Sequence, residues 1–444
     1  MATTYLTRTQ VAGNRQIFTQ SFWCKIADPS GTQTLAGTFN DSSNYNYCYL
    51  DGGNLKLQWK QSGSVTATLD TNRKFRDTNA FYNIVYAVDT TQGTAANRIK
   101  LYINGVQETS FSTATYPSQN RYTEINDNGT TQYVGSIDGS QQYFNGVMSY
   151  VAQIDGTQEL PGIFGETDST TGEWKIKTTI TPSVAWGNNG FLILKNGNSL
   201  TDESSNSNNF TLSGGTLTKT EDCPSNVFAT INPLLYQVAS QYASVPRDGN
   251  TTTTSGSGNA WGTLLSTIGA SSGKYYCEAK VSAIGTYAMV GICDMNADAQ
   301  NGSSAWYLGK TAGSAQYGYD SNANLYTNDS NTSYGSTWTT GDIMGIAMDL
   351  DNNKLYFSKN GVFQNSGVPT SGSTGTGAVS ITADKTYGFG FSSYSSTVWY
   401  INFGNGYFST GAVASAGTNA SGNGIFEYDT PTGYTALSTK GLNL

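Results

Sequence analysis

The sequence predicts an all-β protein made of two tandem antiparallel jelly-roll β-sandwiches and a short C-terminal tail. Its 444 residues include 51 glycines and 29 tyrosines, a composition that favours strands and tight turns. Apolar and polar residues alternate over many short segments, whereas no helical stripe extends beyond a turn or two. Because a single core stops growing near ~250–300 residues, a chain of this length requires two.

Two hairpins illustrate the strand pattern. In Arg98–Asn104, every second residue is apolar, and the Asn104–Gly105 pair that follows is a strong signal for a two-residue turn. Lys354–Lys359 has the same alternation and is followed by Asn360–Gly361. We therefore expect an antiparallel hairpin in each half of the chain.

Composition shifts divide the chain into residues 1–230, 231–408 and 409–444. The polar run Arg247–Asn259 predicts a loop or linker, since it offers little apolar surface to offset the entropy of ordering it. The small-residue run Gly411–Gly424 predicts a second linker, which leads to the C-terminal tail.

Charge and hydropathy exclude several classes of protein. The net charge of −8 argues against nucleic acid as a partner, because phosphate contacts need clustered Lys and Arg. There is no apolar run of ~18–20 residues, so we expect no membrane insertion. The first residues lack the pattern of a signal peptide, which predicts synthesis in a cytoplasm. The chain has no histidine, which removes the usual general base and the commonest metal ligand.

The cysteines show no CxxC spacing, and an odd number cannot all pair within one chain. We expect them to be reduced and mostly buried. They are Cys24, Cys48, Cys223, Cys277 and Cys293.

The first half resembles the laminin-G-like (concanavalin A-like) family. The resemblance rests on Phe18–Trp23, Phe81–Val88, Lys100–Val106 and the closing strand Tyr143–Val151. It covers roughly residues 1–230 and implies a jelly-roll sandwich.

The second half resembles a SPRY domain. The long segment Thr340–Gly361 carries most of this resemblance, supported by Ser272–Glu278 and the aromatic strand Trp399–Phe403. It implies a second sandwich in residues 231–408.

The two domains together, ending in Ile425–Leu437, are similar to virion proteins of tailed bacteriophages. The resemblance implies a structural protein on the particle surface, as a tail fibre, head fibre or capsid decoration, that binds host surface glycans. It further implies location in the virion after synthesis in the host bacterial cytoplasm. The expected partners are other virion proteins, a host polysaccharide, and further copies of the chain in a homo-oligomer such as a trimer.

Other functions remain as alternatives. A polysaccharide-degrading glycosidase of the jelly-roll type needs paired carboxylates, but Glu124–Asp127 lacks their spacing and Ser149–Tyr150 stand where the family commonly has acids. We therefore expect no enzyme and no catalytic residue. A purely structural decoration protein without a glycan ligand is the closer alternative, and a peptide-binding SPRY adaptor is a third.

No cofactor and no metal site are expected, although calcium remains open. Other laminin-G-like folds bind Ca²⁺ through loop acids, and Asp51, Asp138 and Asp155 lie in glycine-flanked turns. The acids of Asp349–Asn353 begin like a calcium loop but lack its closing Glu, so they predict the end of a strand and a hairpin.

Two aromatic clusters are the candidate ligand-binding sites, because the C–H faces of sugars pack on flat rings while their hydroxyls bond to polar groups. In the first, Tyr45, Tyr47 and Tyr49 alternate along one strand face. The alternative in both cases is that the rings are ordinary core residues. The second cluster comprises Trp306, Tyr307, Tyr317, Tyr319, Tyr326, Asp329, Tyr334 and Trp338.

Overall fold

A computed structural model describes residues 3–234, 245–254, 261–296 and 306–444. It confirms the all-β prediction, with 45% of the chain in strands and 4% in helix. The chain forms two compact units, Met1–Lys219 with Cys223–Ser225 and Thr220–Asp222 with Asn226–Leu444. The division thus lies slightly before the predicted position at 230, and residues 409–444 cluster with the second unit.

Short strands and tight connections make up the first unit, in which Ala95–Asn97 and Pro161–Ile163 form 3-10 helices. Its strands are β1 (Tyr5–Thr9), β2 (Ile17–Ile26), β3 (Thr32–Asp41), β4 (Asn44–Asp51), β5 (Asn54–Gln61), β6 (Ser64–Lys74), β7 (Phe81–Asp89), β8 (Ile99–Ile103), β9 (Val106–Gln107), β10 (Phe111–Thr115), β11 (Thr131–Val134), β12 (Gly146–Asp155), β13 (Gly165–Thr167), β14 (Trp174–Ile176), β15 (Phe191–Ile193) and β16 (Thr211–Gly214).

Two antiparallel sheets enclose the core of the first unit. An eight-stranded sheet has the order β10-β6-β5-β4-β3-β11-β1-β16, and a six-stranded sheet has the order β15-β12-β2-β7-β8-β9. Cys48 and Leu50 of β4 lie in the core between the sheets, because alternate side chains of a strand point to opposite faces. Phe164 and Ile180 pack against Val85 and Ala87 on the outer face of the six-stranded sheet.

The second unit is built in the same way. Its strands are β17 (Val245–Arg247), β18 (Thr252–Thr254), β19 (Trp261–Leu265), β20 (Lys274–Ala283), β21 (Tyr287–Asp294), β22 (Gln316–Asp320), β23 (Asn324–Thr327), β24 (Ser330–Ser333), β25 (Ile343–Asp349), β26 (Lys354–Lys359), β27 (Val362–Phe363), β28 (Val379–Ser380), β29 (Tyr387–Tyr394), β30 (Val398–Asn402), β31 (Tyr407–Phe408), β32 (Gly411–Ala412) and β33 (Thr435–Ala436). Short 3-10 helices span Gln364–Ser366, Pro369–Thr374 and Gly441–Asn443.

Within its described residues, the second unit also has two main sheets. One runs β17-β18-β30-β20-β25-β26-β27, with β28 beside β26 and β33 beside β20, and the other runs β19-β29-β21-β22-β23-β24. Trp399, Ile346 and Phe389 lie in the core between them, each with no exposed surface. The outer face of β19, β29, β21, β22 and β23 positions one of the candidate sites described below.

Both predicted hairpins are confirmed. Asn104 and Gly105 have φ values of 48° and 78°, and Ile103 pairs with Val106 across the turn. Asn360 and Gly361 have φ values of 49° and 80° between β26 and β27. Positive φ at both central residues is the requirement that Asn-Gly turns satisfy at low cost.

The predicted linker Arg247–Asn259 is wrong in its first part. β17 and β18 form a hairpin there, and β18 continues the pairing to β30. Thr252 and Thr253 are buried strand residues, which suits the β-branched side chain of threonine. Residues 255–259 of the predicted linker lie outside the described residues.

The C-terminal segment is more than the predicted linker and tail. Phe426 and Tyr434 are each 1% exposed and pack with Tyr276 and Tyr356 on the outer face of the nine-stranded sheet. Nearby, β33 pairs in parallel with β20. The aromatic residues of this segment therefore bury surface that its glycine-rich beginning does not suggest.

The cysteine prediction is confirmed, since all five thiols are free and Cys223 alone is partly exposed. Burial raises the pKa of the Cys24 and Cys293 thiols to about 12. Among the described residues, no helix has the length and apolar character needed to cross a bilayer.

Candidate functional site

The first candidate site is a pocket on the outer face of the eight-stranded sheet, which we call the tyrosine pocket. Because Cys48 and Leu50 of β4 face the core, the alternation predicted for Tyr45, Tyr47 and Tyr49 places all three on the opposite face. The pocket has a volume of about 310 Å³, at the lower end of the ~300–1,000 Å³ typical of ligand sites. Its lining residues are Phe39, Ser42, Tyr45, Tyr47, Tyr49, Gln58, Lys60, Ile137, Asp138, Gln141 and Gln142.

A stacked pair of rings forms part of the pocket lining. Tyr45 and Tyr47 have ring centroids 4.4 Å apart and planes 15° apart. A Cβ atom at Gly37 of β3 would lie 2.5 Å from Cδ1 of Tyr47, so glycine is what lets this ring rest on the neighbouring strand. The Tyr45 hydroxyl donates to Oε1 of Gln58 at 3.0 Å. The rings are therefore held in place before any ligand arrives.

Charged groups of both signs line the same pocket. The Lys60 ammonium lies 5.7 Å from the Tyr45 ring centroid and donates to the Ser42 carbonyl at 2.9 Å. Burial tends to raise the pKa of Asp138, but hydrogen bonds from Ser140 and Gln141 outweigh it and lower that pKa, which keeps the carboxylate ionised at neutral pH. Burial, reinforced by the charge of Asp138, raises the pKa of Tyr47 and keeps its hydroxyl a donor.

The acids considered for calcium bond to the protein itself. Asp51 accepts from Thr32 and Lys56, and Asp155 accepts the backbone N–H groups of Asn14 and Asn189. Over the described ranges, no group of three His, Cys, Asp or Glu side chains is arranged to hold a metal ion.

Asp349 ends β25, as predicted. It accepts the backbone N–H of Asn352 at 3.0 Å and forms an ion pair with Lys274 at 2.9 Å. It thus closes the β25–β26 hairpin.

The structure corrects most of the second predicted cluster, because five of its eight members are core residues. Tyr317 and Tyr319 do share one face of β22, but it is the inner face, where they meet Ile292 and Val290 of β21. A buried ring has little surface to offer a ligand, and the same correction applies to Tyr47 of the tyrosine pocket, which is 4% exposed. The corrected residues are 0–7% exposed and comprise Trp306, Tyr317, Tyr319, Tyr334 and Trp338.

The remaining members, Tyr307, Tyr326 and Asp329, lie at the surface. Tyr307 and Tyr326 belong to a row of partly exposed rings on the outer face of the six-stranded sheet of the second unit, which we call the aromatic strip. The strip consists of Trp261, Tyr287, Tyr307, Tyr326 and Tyr394.

Strand register assembles the strip. Tyr394 of β29 lies directly opposite Trp261 of β19 on one side and Tyr287 of β21 on the other. The Trp261 centroid is 5.5 Å from that of Tyr394 and 4.9 Å from that of Tyr307, and Tyr307 is 5.5 Å from Tyr326. Three of these rings, Trp261, Tyr287 and Tyr394, are absent from the sequence prediction.

Glycines on the sheet position Tyr307. A Cβ atom at Gly318 would lie 2.7 Å from Cβ of Leu308, and one at Gly390 would lie 2.9 Å from Cδ2 of Leu308. These glycines let the segment through Trp306 and Leu308 lie flat on the sheet with both side chains buried. The intervening Tyr307 is left partly exposed, beside Trp261.

One end of the strip carries an ion pair. The Lys310 ammonium lies 5.8 Å from the Tyr307 centroid and 2.7 Å from a carboxylate oxygen of Asp329. The Lys310 charge is therefore compensated within the protein.

Comparisons with known proteins match both units to families. Residues 2–157 match the Concanavalin A-like lectin/glucanases superfamily, and residues 274–387 match the SPRY domain. A comparison with curated protein sequences gave no match.

Among solved structures, the SPRY domain of human HERC1 is 20% identical, with a TM-score of 0.29 over 38% of this chain and 96% of that one. A second human SPRY domain is 16% identical, with a TM-score of 0.27 over 34% of this chain and 90% of that one. Stonustoxin is 15% identical, with a TM-score of 0.29 over 39% of this chain and 27% of that one.

Proposed function

We propose that this chain, which contains a laminin-G-like (concanavalin A-like) domain followed by a SPRY domain, is a structural protein of a bacteriophage particle surface that binds host glycans. It would serve as a tail fibre, head fibre or capsid decoration and would assemble with other virion proteins and with further copies of itself. The similarity of this domain combination and its C-terminal segment to tailed-phage virion proteins supports the proposed role on the surface of a phage particle. Because a fold does not fix a function, the glycan must be argued from a site.

The tyrosine pocket is the observation that carries the proposal. Tyr45 and Tyr49 offer ring surface for the C–H face of a sugar, at small cost in side-chain entropy. Gln58, Gln141 and Gln142 supply amide donors and acceptors for its hydroxyls. Such a pocket suits one end or one branch of a glycan.

The same lining favours binding over hydrolysis. Glycosidases use two carboxylates on either side of the bond that breaks. Asp138 is the one carboxylate among the residues that line the pocket. We therefore propose a binding role and no catalytic one.

An array of bacterial surface polysaccharides, probed with and without calcium, tests the proposal. We expect saturable binding to at least one glycan and about tenfold weaker binding after Tyr45→Ala or Tyr49→Ala, since a stacked ring contributes on the order of 1 kcal/mol or more. Tyr122→Ala is the matched control, because Tyr122 is a 58% exposed tyrosine of the same unit outside the pocket. Absence of binding to every glycan would leave a purely structural decoration role and overturn the proposal. Release of reducing ends would indicate a glycosidase instead.

A further inference from the structure

We propose that the aromatic strip of the second unit is a second carbohydrate-binding surface, and that it takes an uncharged stretch of polysaccharide chain. This surface is separate from the tyrosine pocket, which belongs to the other unit. It differs in shape as well, because the strip is a group of neighbouring rings on the outer face of a sheet. It would therefore contact several sugar rings along a chain.

The spacing of the rings suits such a chain. From Tyr287 through Trp261 and Tyr307 to Tyr326, successive centroids are 6.0, 4.9 and 5.5 Å apart. These steps are comparable to the length of one pyranose unit. The planes of the successive rings differ by 21°, 44° and 86°, so neighbouring sugars would meet rings of different tilt. Tyr287 is 38% exposed, and the other rings are partly exposed.

The polar groups at the ring edges of the strip are placed to bond with a ligand. Within the described part of the chain, no hydrogen-bond partner occurs for the hydroxyls of Tyr287, Tyr307, Tyr326 and Tyr394 or for the indole N–H of Trp261. Two aromatic residues in the core of this unit contrast with them: the Tyr387 hydroxyl donates to the Thr382 carbonyl at 2.8 Å, and Nε1 of Trp399 donates to Ser393 at 3.1 Å. Rings whose edge donor groups have no partner among the described residues match a ligand that has both C–H faces and hydroxyls.

Charge argues against nucleic acid as the occupant. Platforms that stack bases also carry a positive groove for the phosphates. Here the cation beside the rings, Lys310, is paired with Asp329 at 2.7 Å, and the chain has a net charge of −8. The same compensation favours uncharged sugars over acidic ones.

The chemistry of the face also favours a glycan over a protein partner. Protein interfaces combine aromatic rings with Met and Arg around an apolar centre. The strip itself consists of Trp and Tyr, with neither Met nor Arg among its members. The next row of outward side chains, Thr263, Ser392 and Met289, is buried. The accessible face is therefore aromatic and hydroxyl-rich.

Affinity electrophoresis through gels that contain dextran, mannan, β-1,3-glucan or xylan tests the inference with the full chain. We expect at least one of these neutral polysaccharides to retard the wild type, with about tenfold weaker affinity for the double variant Trp261→Ala/Tyr287→Ala. Tyr400→Ala is the matched control, since Tyr400 is a partly exposed tyrosine on the other sheet of the same unit. Tyr45→Ala/Tyr49→Ala should keep the retardation, which separates the strip from the pocket.

A conservative variant guards against misfolding. Trp261→Phe keeps a ring and should unfold at the temperature of the wild type. The wild type should change its tryptophan emission when the retarding polysaccharide is added, and Trp261→Phe should lose that change. Wild-type retardation by none of the four polymers, or equal retardation of the wild type and the double variant, would overturn the inference. Loss of retardation in the pocket variant alone would overturn it too, while supporting the proposed function.

Discussion

A buried carboxylate makes the stability of the second unit depend on pH. Glu278 of β20 has no exposed surface, and its two oxygens accept the backbone N–H groups of Glu427 at 2.8 Å and Tyr428 at 2.9 Å. The Tyr276 hydroxyl is 3.2 Å from the same carboxylate. Burial raises the pKa of Glu278 to about 7 from the ordinary 4.5, and the charge of Glu427 adds to this effect while the hydrogen bonds oppose it.

The direction of the pH effect follows from proton binding. Between pH 4.5 and 7 the folded chain keeps a proton on Glu278 that the unfolded chain has lost, so the free energy of unfolding falls as pH rises. The contribution is fully present below pH 4.5 and lost above about pH 7. One pH unit between the two pKa values corresponds to ~1.4 kcal/mol, which gives about 3 kcal/mol in all and about 2.5 kcal/mol between pH 5 and pH 8.

Glu278→Gln removes the titration while keeping the shape of the side chain. We expect the difference in unfolding free energy between wild type and variant to change by about 2.5 kcal/mol between pH 5 and pH 8, as measured by guanidinium unfolding. Asp384→Asn, which removes an exposed charge from the same unit, should leave the pH dependence as it is. Coincident pH profiles of the wild type and Glu278→Gln would refute the reasoning.

Two further substitutions test the packing around the sites. Gly37→Ala should displace the Tyr47 ring, because the new Cβ would lie 2.5 Å from it. We expect the free energy of unfolding to fall by about 1–3 kcal/mol and glycan binding at the pocket to be lost. Unchanged glycan binding would contradict the role given to Gly37. Phe426→Ala should cost about 3–5 kcal/mol and speed hydrogen exchange in β33, since Phe426 is 1% exposed with its centroid 5.0 Å from that of Tyr276. Exchange at the wild-type rate would show that the C-terminal segment holds without this ring.

Local patterns predicted the features that depend on neighbouring residues. The Asn104–Gly105 turn and the shared face of Tyr45, Tyr47 and Tyr49 follow from turn chemistry and the two-residue period of a strand. The same period does not indicate which face of β22 is the core, and Tyr317 and Tyr319 lie on the inner face, as in the core alternative.

Features that depend on register between distant strands could not be predicted. Trp261, Tyr287 and Tyr394 become neighbours only when β19, β21 and β29 pair, and nothing near any of them in sequence indicates this. The C-terminal segment was missed for a similar reason. Its aromatic residues find their partner, Tyr276, about 150 residues earlier in the chain.

The position of the segment that contains Phe426 and Tyr434 has a consequence for synthesis. The apolar outer face of β20, β25 and β26, with Tyr276, Ala347 and Tyr356, is covered by residues that are synthesised well after these strands. Nascent chains would expose this face until Phe426 and Tyr434 emerge, and prematurely terminated chains would expose it permanently. Quality control by chaperones and proteases should therefore remove copies that lack this segment.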